Sequence, residues 1–195
     1  MSRSVTTNRS TRETSVECTL ELDGRGRATI DTGVGFFDHL LSSLATHALF
    51  DLDLTTKGDL VVDDHHTLED TALVLGSALA QALGDRAGIN RFGDARVPMD
   101  EALAEATVDI SGRPYAVIDL ELRNPTIGTM TAQNLPHALE AFTRAAGITL
   151  HLHSRGDNDH HVAEAAIKAL ARALRSAVAL DPARADEIPS TKGAL

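Results

Sequence analysis

A six-residue pattern, Asp-His-His followed by two variable positions and Glu, occurs twice in this chain. The copies cover residues 64–69 and 159–164, so they lie 95 residues apart in a chain of 195 residues. A repeat period of about half the chain length indicates two versions of one supersecondary unit. The duplication therefore predicts two similar halves, each of which contributes part of one chemistry.

The hydrophobic pattern is similar in the two halves. In the first half, alternation and helical spacing predict strands at 13–22 and 28–31 joined as a hairpin, a helix at 36–48, a strand at 49–55 and a helix at 68–83. In the second half they predict strands at 102–110 and 115–122, a helix at 134–146, a strand at 148–153 and a helix at 161–180. We therefore predict an α+β fold of two strand-strand-helix-strand-helix units, with the sheets outside and the helices packed between them.

Composition divides the chain into four segments. Residues 1–12 are polar and rich in Ser, Thr and Arg, which predicts a flexible N-terminal arm. Residues 13–90 and 91–181 form the two predicted units, and residues 88–98 read as a polar connection between them. Residues 182–195 hold two prolines and a Ser-Thr-Lys-Gly run, and we expect this tail to bind substrate.

Charge and cysteine content exclude several classes of protein. The net charge is −10, from 18 basic and 28 acidic residues, and only 3% of the residues are aromatic, so nucleic-acid binding is not expected. The single cysteine, Cys18, excludes an intramolecular disulfide and a cysteine-based zinc site. No stretch has the length of a membrane span and no secretory signal is present, so we expect a cytoplasmic protein.

The spacing within each repeated pattern is that of metal ligands on a helix. Successive helical residues are about 100° apart, so His65 and His66 diverge, whereas Glu69 lies one turn from both. The simplest arrangement crosses the two patterns, so that each shares its histidines between two ions. If His39 and His137 add one ligand each, two sites of three imidazoles and one carboxylate result.

Such sites leave coordination positions open on an octahedral ion and therefore suit manganese or iron. The same four ligands would nearly fill the tetrahedral shell of zinc. Asp64 and Asp159 would cap their helices or orient a metal ligand through a hydrogen bond from outside the coordination shell. A single pattern is equally well explained as a helix start with partly exposed histidines. Two matched copies favour the ligand interpretation.

Basic and hydroxyl side chains on loops form a second candidate group. Arg91, Arg113, Ser190 and Lys192 all lie in predicted loops of an otherwise acidic chain. Guanidinium groups bind phosphate oxygens in bidentate fashion, and Ser with Lys adds further donors. Each residue alone is weak evidence, since a loop arginine is usually solvated. His47, in the first predicted helix, is a further candidate for contact with the substrate.

Four long motifs resemble one known family. Residues 32–39, 63–70, 158–161 and 189–193 are similar to imidazoleglycerol-phosphate dehydratase, and the match runs from about residue 12 to the end. The resemblance implies a ribosomal-protein-S5-like unit in each half and loss of water from imidazoleglycerol phosphate to give imidazoleacetol phosphate in histidine biosynthesis. It also implies two manganese ions and a homo-oligomer of 24 subunits, built from trimers, in which neighbouring subunits share the metal sites.

The same resemblance implies roles for individual residues. One manganese would take His39, His66, His160 and Glu164, and the other would take His65, Glu69, His137 and His161. Glu13 matches the acid/base glutamate of the family. The implied substrate-binding residues are Glu13, His39, His47, His65, Glu69, Arg91, Arg113, His160, Lys168, Ser190, Thr191 and Lys192. The one departure is at residues 152–157, where the chain is a residue shorter than the family pattern.

The implied reaction needs activation by the substrate's own imidazole, because no carbonyl acidifies the hydrogen that is removed. Metal binding to the ring would favour imidazolate, which would expel the neighbouring hydroxyl, and Glu13 would move a proton. A two-metal phosphohydrolase would use the same ligands and arginines, although carboxylate bridges are usual there. A metal-storage or metal-stabilised shell protein would need the ligands but not the basic residues.

Overall fold

The computed structural model describes residues 3–185 and 187–195, and these form two units in chain order. The first unit comprises β1 (Ser4–Ser10), β2 (Thr14–Glu21), β3 (Ala28–Asp31), α1 (Gly35–Ala48), β4 (Asp51–Gly58) and α2 (His65–Ala82). The second unit comprises β5 (Phe92–Met99), β6 (Ala102–Asp109), β7 (Tyr115–Leu120), β8 (Thr126–Ile127), β9 (Met130–Thr131), α3 (Asn134–Ala146), β10 (Thr149–Arg155) and α4 (Asp159–Val178).

The two four-stranded sheets have the same topology. Their strand orders are β1-β2-β4-β3 and β5-β6-β10-β7, and in each the last strand runs parallel to its neighbour while the other pairs are antiparallel. The small β8-β9 hairpin is an addition to the second unit. The predicted α+β class and the duplication are therefore confirmed.

Each four-stranded sheet holds one strand more than predicted, and this corrects two expectations. Residues 4–10, predicted as part of a flexible arm, form β1, which pairs along its whole length with β2. Arg9 of this strand forms an ion pair with Asp70 of α2. The polar connection predicted at 88–98 is mostly β5, which pairs with β6. Both are edge strands with mixed exposure, so their polar composition resembles that of a loop.

The predicted hairpin of the first unit is also wrong. The strand that pairs with both β2 and β3 is β4, which lies between them in the sheet. An Asp-Gly turn between two alternating segments favours a hairpin locally. In the structure β3 instead runs parallel to β4, with Ala28–Asp31 beside Leu52–Thr55.

The helices form the layer between the sheets. Alternate residues of β2, β4, β6 and β10 are buried, so each sheet has one covered face and one exposed face. Helix α2 packs on β1, β2 and β4, and α4 packs on β5, β6 and β10. Across the middle, α2 packs against α3 and α1 packs against α4, so each helix pair joins the two units. One continuous apolar core results.

No helix within 3–185 and 187–195 is both long and apolar enough to cross a membrane. Cys18, the single cysteine, lies in the core, and burial raises its pKa to about 12.

Helices α2 and α3 of the two units approach each other closely at Gly76 of α2. A Cβ atom there would lie 2.5 Å from the Phe142 carbonyl oxygen and 2.9 Å from Ala145 Cβ of α3. We expect Gly76→Ala to lower the free energy of unfolding by about 1–3 kcal/mol, because overpacking forces the helices apart. Chemical denaturation checks this, with Gly35→Ala, whose Cβ meets nothing within 4 Å, as the matched control. Equal stability of the two variants would contradict the close contact.

Candidate active site

Two groups of side chains meet where helices of different units begin. The first cluster is His39 of α1 with His160 and Glu164 of α4, in which the two Nε2 atoms lie 3.0 and 3.1 Å from Glu164 Oε2. The rings of His39 and His160 are 5.6 Å apart, and Phe36 packs beside both. These side chains lie on the first turns of two helices that the layered fold brings together.

The second cluster repeats the first with the units exchanged. It consists of His137 of α3 with His65 and Glu69 of α2, and the Nε2 atoms of His65 and His137 lie 3.7 and 3.5 Å from oxygens of Glu69. Their rings stack at 4.7 Å. Since His65 and Glu69 stand at the positions of His160 and Glu164 in the repeat, the clusters share one design. Each cluster thus combines one repeated pattern with a histidine from the other unit, and the sharing of both patterns by each ion stays a prediction.

The carboxylate of the first cluster is strongly held in its charged form. Burial opposes ionisation of Glu164, but hydrogen bonds from Lys168 and His39 outweigh burial and lower its pKa to about 2. Lys168 Nζ lies 2.8 Å from Glu164 Oε1. Burial, followed by the charges of Lys168 and Arg172, lowers the pKa of His47 at the end of α1. A cationic surface therefore adjoins the first cluster.

The donor set of the second cluster contains an unsatisfied buried atom. Nε2 of His137 is buried and forms no hydrogen bond within the described residues. A buried polar atom without a partner is costly, and a bound cation would satisfy it. Three nitrogen and oxygen donors within 4.8 Å of one another form an incomplete coordination shell in each cluster. The residues present therefore fit a first-row divalent ion.

The second histidine of each repeated pattern does not join a cluster of its own chain. The ring of His66 lies edge-on to that of His65, and its Nδ1 is 3.0 Å from Asp59 Oδ2. The ring of His161 likewise lies edge-on to that of His160. Its Nδ1 is 2.8 Å from Glu101 Oε2. Each implied set of four ligands is thus represented in one chain by three members.

The acidic residue that precedes each histidine pair ties a loop to the site. Asp64 accepts hydrogen bonds from Asn134 Nδ2 and from the backbone N–H of Thr131, and Asn134 Oδ1 lies 3.3 Å from His65 Nδ1. Asp64 therefore orients His65 through Asn134, as one of its two predicted roles requires. Asp159 instead holds Arg123 and Asn124 through their backbone N–H groups. Neither aspartate caps its helix, and Asn158 caps α4.

The side chains predicted to bind phosphate lie apart from the metal-ligand clusters. We call them the basic cluster, and they are Arg91, Arg113, Ser190, Thr191 and Lys192. Arg91 Nε donates to Asp109 at 2.7 Å and its Nη1 donates to the Pro189 carbonyl, while Arg113 lies 3.7 Å from Asp109. The Lys192 N–H donates to Ser190 Oγ. The tail therefore lies against Arg91 and both arginines lie beside Asp109, while their joint binding of a phosphate stays a prediction.

The basic cluster is far from both metal-ligand clusters of the same chain. Arg91 donates its N–H to Ala177 at the last turns of α4, whereas His160 and Glu164 stand on the first turns of this helix. At about 1.5 Å per residue, these ends are roughly 20 Å apart. Gly112, which precedes Arg113, similarly neighbours Gly147 at the end of α3, while His137 is near the start of that helix. One chain therefore does not bring its basic cluster to its own ligand clusters.

Glu13 lies beside His66, which points away from the cluster that contains His65. It precedes β2, its side chain is 55% exposed, and its Oε2 is 3.9 Å from His66 Nε2. Sequence reasoning without the resemblance did not distinguish it from an ordinary strand-edge charge. It also missed Asp59 and Glu101. The duplication was a signal for Glu101, which precedes β6 as Glu13 precedes β2.

Fold and site together define a duplicated α+β enzyme with paired histidine and carboxylate clusters at helix starts. The family model described as imidazoleglycerol-phosphate dehydratase matches residues 32–174. The chain belongs to the imidazoleglycerol-phosphate dehydratase family, as the motif resemblance predicted.

Relatives and solved structures agree with this assignment. A relative of that name from Azorhizobium caulinodans is 54% identical over 188 residues, which cover 96% of this chain and 95% of the relative. The crystal structure of the enzyme from Staphylococcus aureus superposes with a TM-score of 0.81 at 32% identity and covers 91% of this chain and 99% of that one. The Pyrococcus furiosus structure, in complex with (S)-C348, superposes with a TM-score of 0.82 at 32% identity and covers 97% of this chain and 100% of that one.

Proposed function

We propose that this chain dehydrates imidazoleglycerol phosphate to imidazoleacetol phosphate in histidine biosynthesis, at manganese sites completed by neighbouring copies of the chain. The observation that carries the proposal is the pair of matched three-ligand clusters, each with one histidine of its implied set pointing elsewhere. Family membership supports the reaction. We also infer a cytoplasmic location, where a reduced thiol such as that of Cys18 persists.

Two ions per active site would be held by both kinds of cluster. His39, His160 and Glu164 would hold one ion with a His66 from a neighbouring copy, and His65, Glu69 and His137 would hold the other with a neighbour's His161. Histidine and carboxylate donors with open positions suit manganese. When bound, such ions supply Lewis acidity to the ring nitrogens of the substrate.

Exposed apolar residues support contact with a second copy beside His66. Leu60, Val61 and Val62 are 41%, 96% and 66% exposed and directly follow Asp59. Consecutive exposed apolar side chains are typical of a protein interface. A neighbour seated there would receive His66 and Glu13 together. An assembly of 24 subunits, as the family resemblance implies, would repeat this contact around a closed shell.

The basic cluster would hold the phosphate of the substrate. Asp109 neutralises much of Arg91, so the exposed guanidinium of Arg113 and the Lys192 ammonium would supply most of the charge, with Ser190 and Thr191 as hydrogen-bond donors. Because this cluster is about 20 Å from the ligands of its own chain, the phosphate-binding and metal-binding parts of one site would come from different copies.

Glu13 would act as the acid/base residue. The reaction removes a hydrogen from a carbon that bears a hydroxyl and expels the hydroxyl of the adjacent carbon, which leaves as water. The exposed carboxylate of Glu13 is free to accept and return a proton, and its position beside His66 would place it at the metal site. The enol that remains converts to the ketone by moving a proton from oxygen to carbon.

The direct test is turnover of imidazoleglycerol phosphate by metal-stripped protein with and without manganese. We expect formation of the ketone product only when manganese is restored. Catalytic loss on removal of the ion should exceed about 100-fold, since Lewis-acid stabilisation contributes several kcal/mol.

Two other outcomes would contradict the proposal. Release of inorganic phosphate without ketone formation would favour a two-metal phosphohydrolase. Tight manganese binding with no turnover, and no phosphate-dependent change in melting temperature, would favour a metal-stabilised shell protein.

Removal of the Glu13 charge should separate binding from chemistry. We expect Glu13→Gln to retain substrate binding and to lower kcat by about 100-fold or more, because general acid/base catalysis contributes about that factor. Steady-state kinetics and a direct binding titration check this. Glu17→Gln, on the exposed face of β2, is the control and should behave as wild type. Near-normal kcat in Glu13→Gln would remove this residue from the mechanism.

Sharing of sites between copies can be tested by mixed assemblies. Arg113→Ala and His39→Ala should each abolish turnover, but co-expression of both should restore about a quarter of the wild-type rate, because half of the chains supply each intact part. Activity of purified mixed assemblies checks this, with each single variant as control. A mixture as inactive as its components would show that one chain supplies both parts.

A further inference from the structure

Two carboxylates hold the histidines that point away from their own clusters. Asp59 meets Nδ1 of His66 at 3.0 Å, and Glu101 meets Nδ1 of His161 at 2.8 Å. Within the clusters the arrangement is reversed, because Glu164 and Glu69 approach Nε2 atoms. The carboxylates that contact Nδ1 therefore have a different role from those that contact Nε2.

A carboxylate on Nδ1 determines what the other ring nitrogen offers. A neutral imidazole carries its proton on one nitrogen, and an acceptor at Nδ1 keeps the proton there. Nε2 then presents a lone pair, and the hydrogen bond fixes the direction of the ring. His66 and His161 are thus prepared to bind a cation through Nε2.

Glu101 is itself held rigidly. Its Oε1 accepts the backbone N–H groups of Asp157 and Asn158 at 3.2 and 2.9 Å, and these contacts leave Oε2 for His161. Asn158 Oδ1 in turn accepts the N–H of His160 at the start of α4. Glu101 therefore holds the short connection between β10 and α4 and links it to the histidine pair.

The duplication reveals how the two units diverged. Glu101 and Glu13 occupy matching positions before β6 and β2, and each faces the second histidine of its unit. In the first unit Asp59 binds Nδ1 of His66, and Glu13 stays 3.9 Å away and exposed. In the second unit Glu101 makes the Nδ1 contact directly. The glutamate of the first unit thus stays exposed, whereas that of the second unit contacts a ring nitrogen.

From these contacts we infer that Glu101 is a positioning residue that aims Nε2 of His161 at the second cluster of a neighbouring copy, and that Asp59 performs the same task for His66 and the first cluster. This inference rests on the proposed metal sites. It assigns each carboxylate to one ion.

Manganese titration of metal-stripped assemblies tests the assignment, with free ion followed by its electron paramagnetic resonance signal. In Glu101→Gln the amide nitrogen would face Nδ1 and drive the ring proton onto Nε2. We expect one of two ions per chain to bind about 10–100-fold more weakly, as for other residues behind metal ligands, and the second to bind normally. Glu105→Gln, which faces Arg96 on the neighbouring strand, is the matched control.

Combination with cluster variants identifies the ion affected. With His39→Ala, which removes the first site, Glu101→Gln should weaken the remaining ion. With His137→Ala, which removes the second site, Glu101→Gln should cause no further change in manganese affinity. Asp59→Asn should show the opposite pattern, and it tests the inference independently should Glu101→Gln fail to fold.

The outcomes are distinguishable. Wild-type affinity for both ions in Glu101→Gln, or equal weakening of both, would overturn the positioning role while leaving the metal sites in place. Absence of manganese binding by the wild-type assembly would overturn the proposed function and this inference with it.

Discussion

The contact between helices of different units is the constraint on which the site depends. Helix α1 packs against α4 and α2 packs against α3, so the first turns of each pair lie together. A histidine from one unit then meets a histidine and a glutamate from the other. The apolar core that joins the units therefore also sets the spacing of the ligands, and Gly76 permits a close approach of α2 to α3. Neither unit alone contains a complete cluster.

The same duplication divides labour among acidic residues. Glu69 and Glu164 converge with imidazole Nε2 atoms, Asp59 and Glu101 hold Nδ1 atoms, and Glu13 stays exposed. The carboxylate of Glu164 stays charged although it is partly buried, because hydrogen bonds outweigh burial and lower its pKa to about 2. A histidine-rich surface is thereby matched with carboxylates rather than left as clustered cations.

Most of the fold could be predicted, and the errors have a common cause. The helices were predicted to within a few residues because their apolar spacing is regular. Strands β1 and β5 were predicted as an arm and a connection, because edge strands bury little and carry polar residues. The hairpin error arose because the position of β4 between β2 and β3 is a long-range choice. Local turn chemistry does not record such a choice.

The sequence by itself determined the duplication, the α+β class and the ligand types, because repeat period and helical spacing are local properties of the chain. The basic residues on loops were also visible in the sequence, and the family resemblance added Glu13, Lys168 and Thr191. Only the tertiary structure decided which ligands meet, since helix packing selects three of each four and turns His66 and His161 toward Asp59 and Glu101. It also decided that the basic cluster lies at the far end of α4, because a helix of that length keeps its two ends apart.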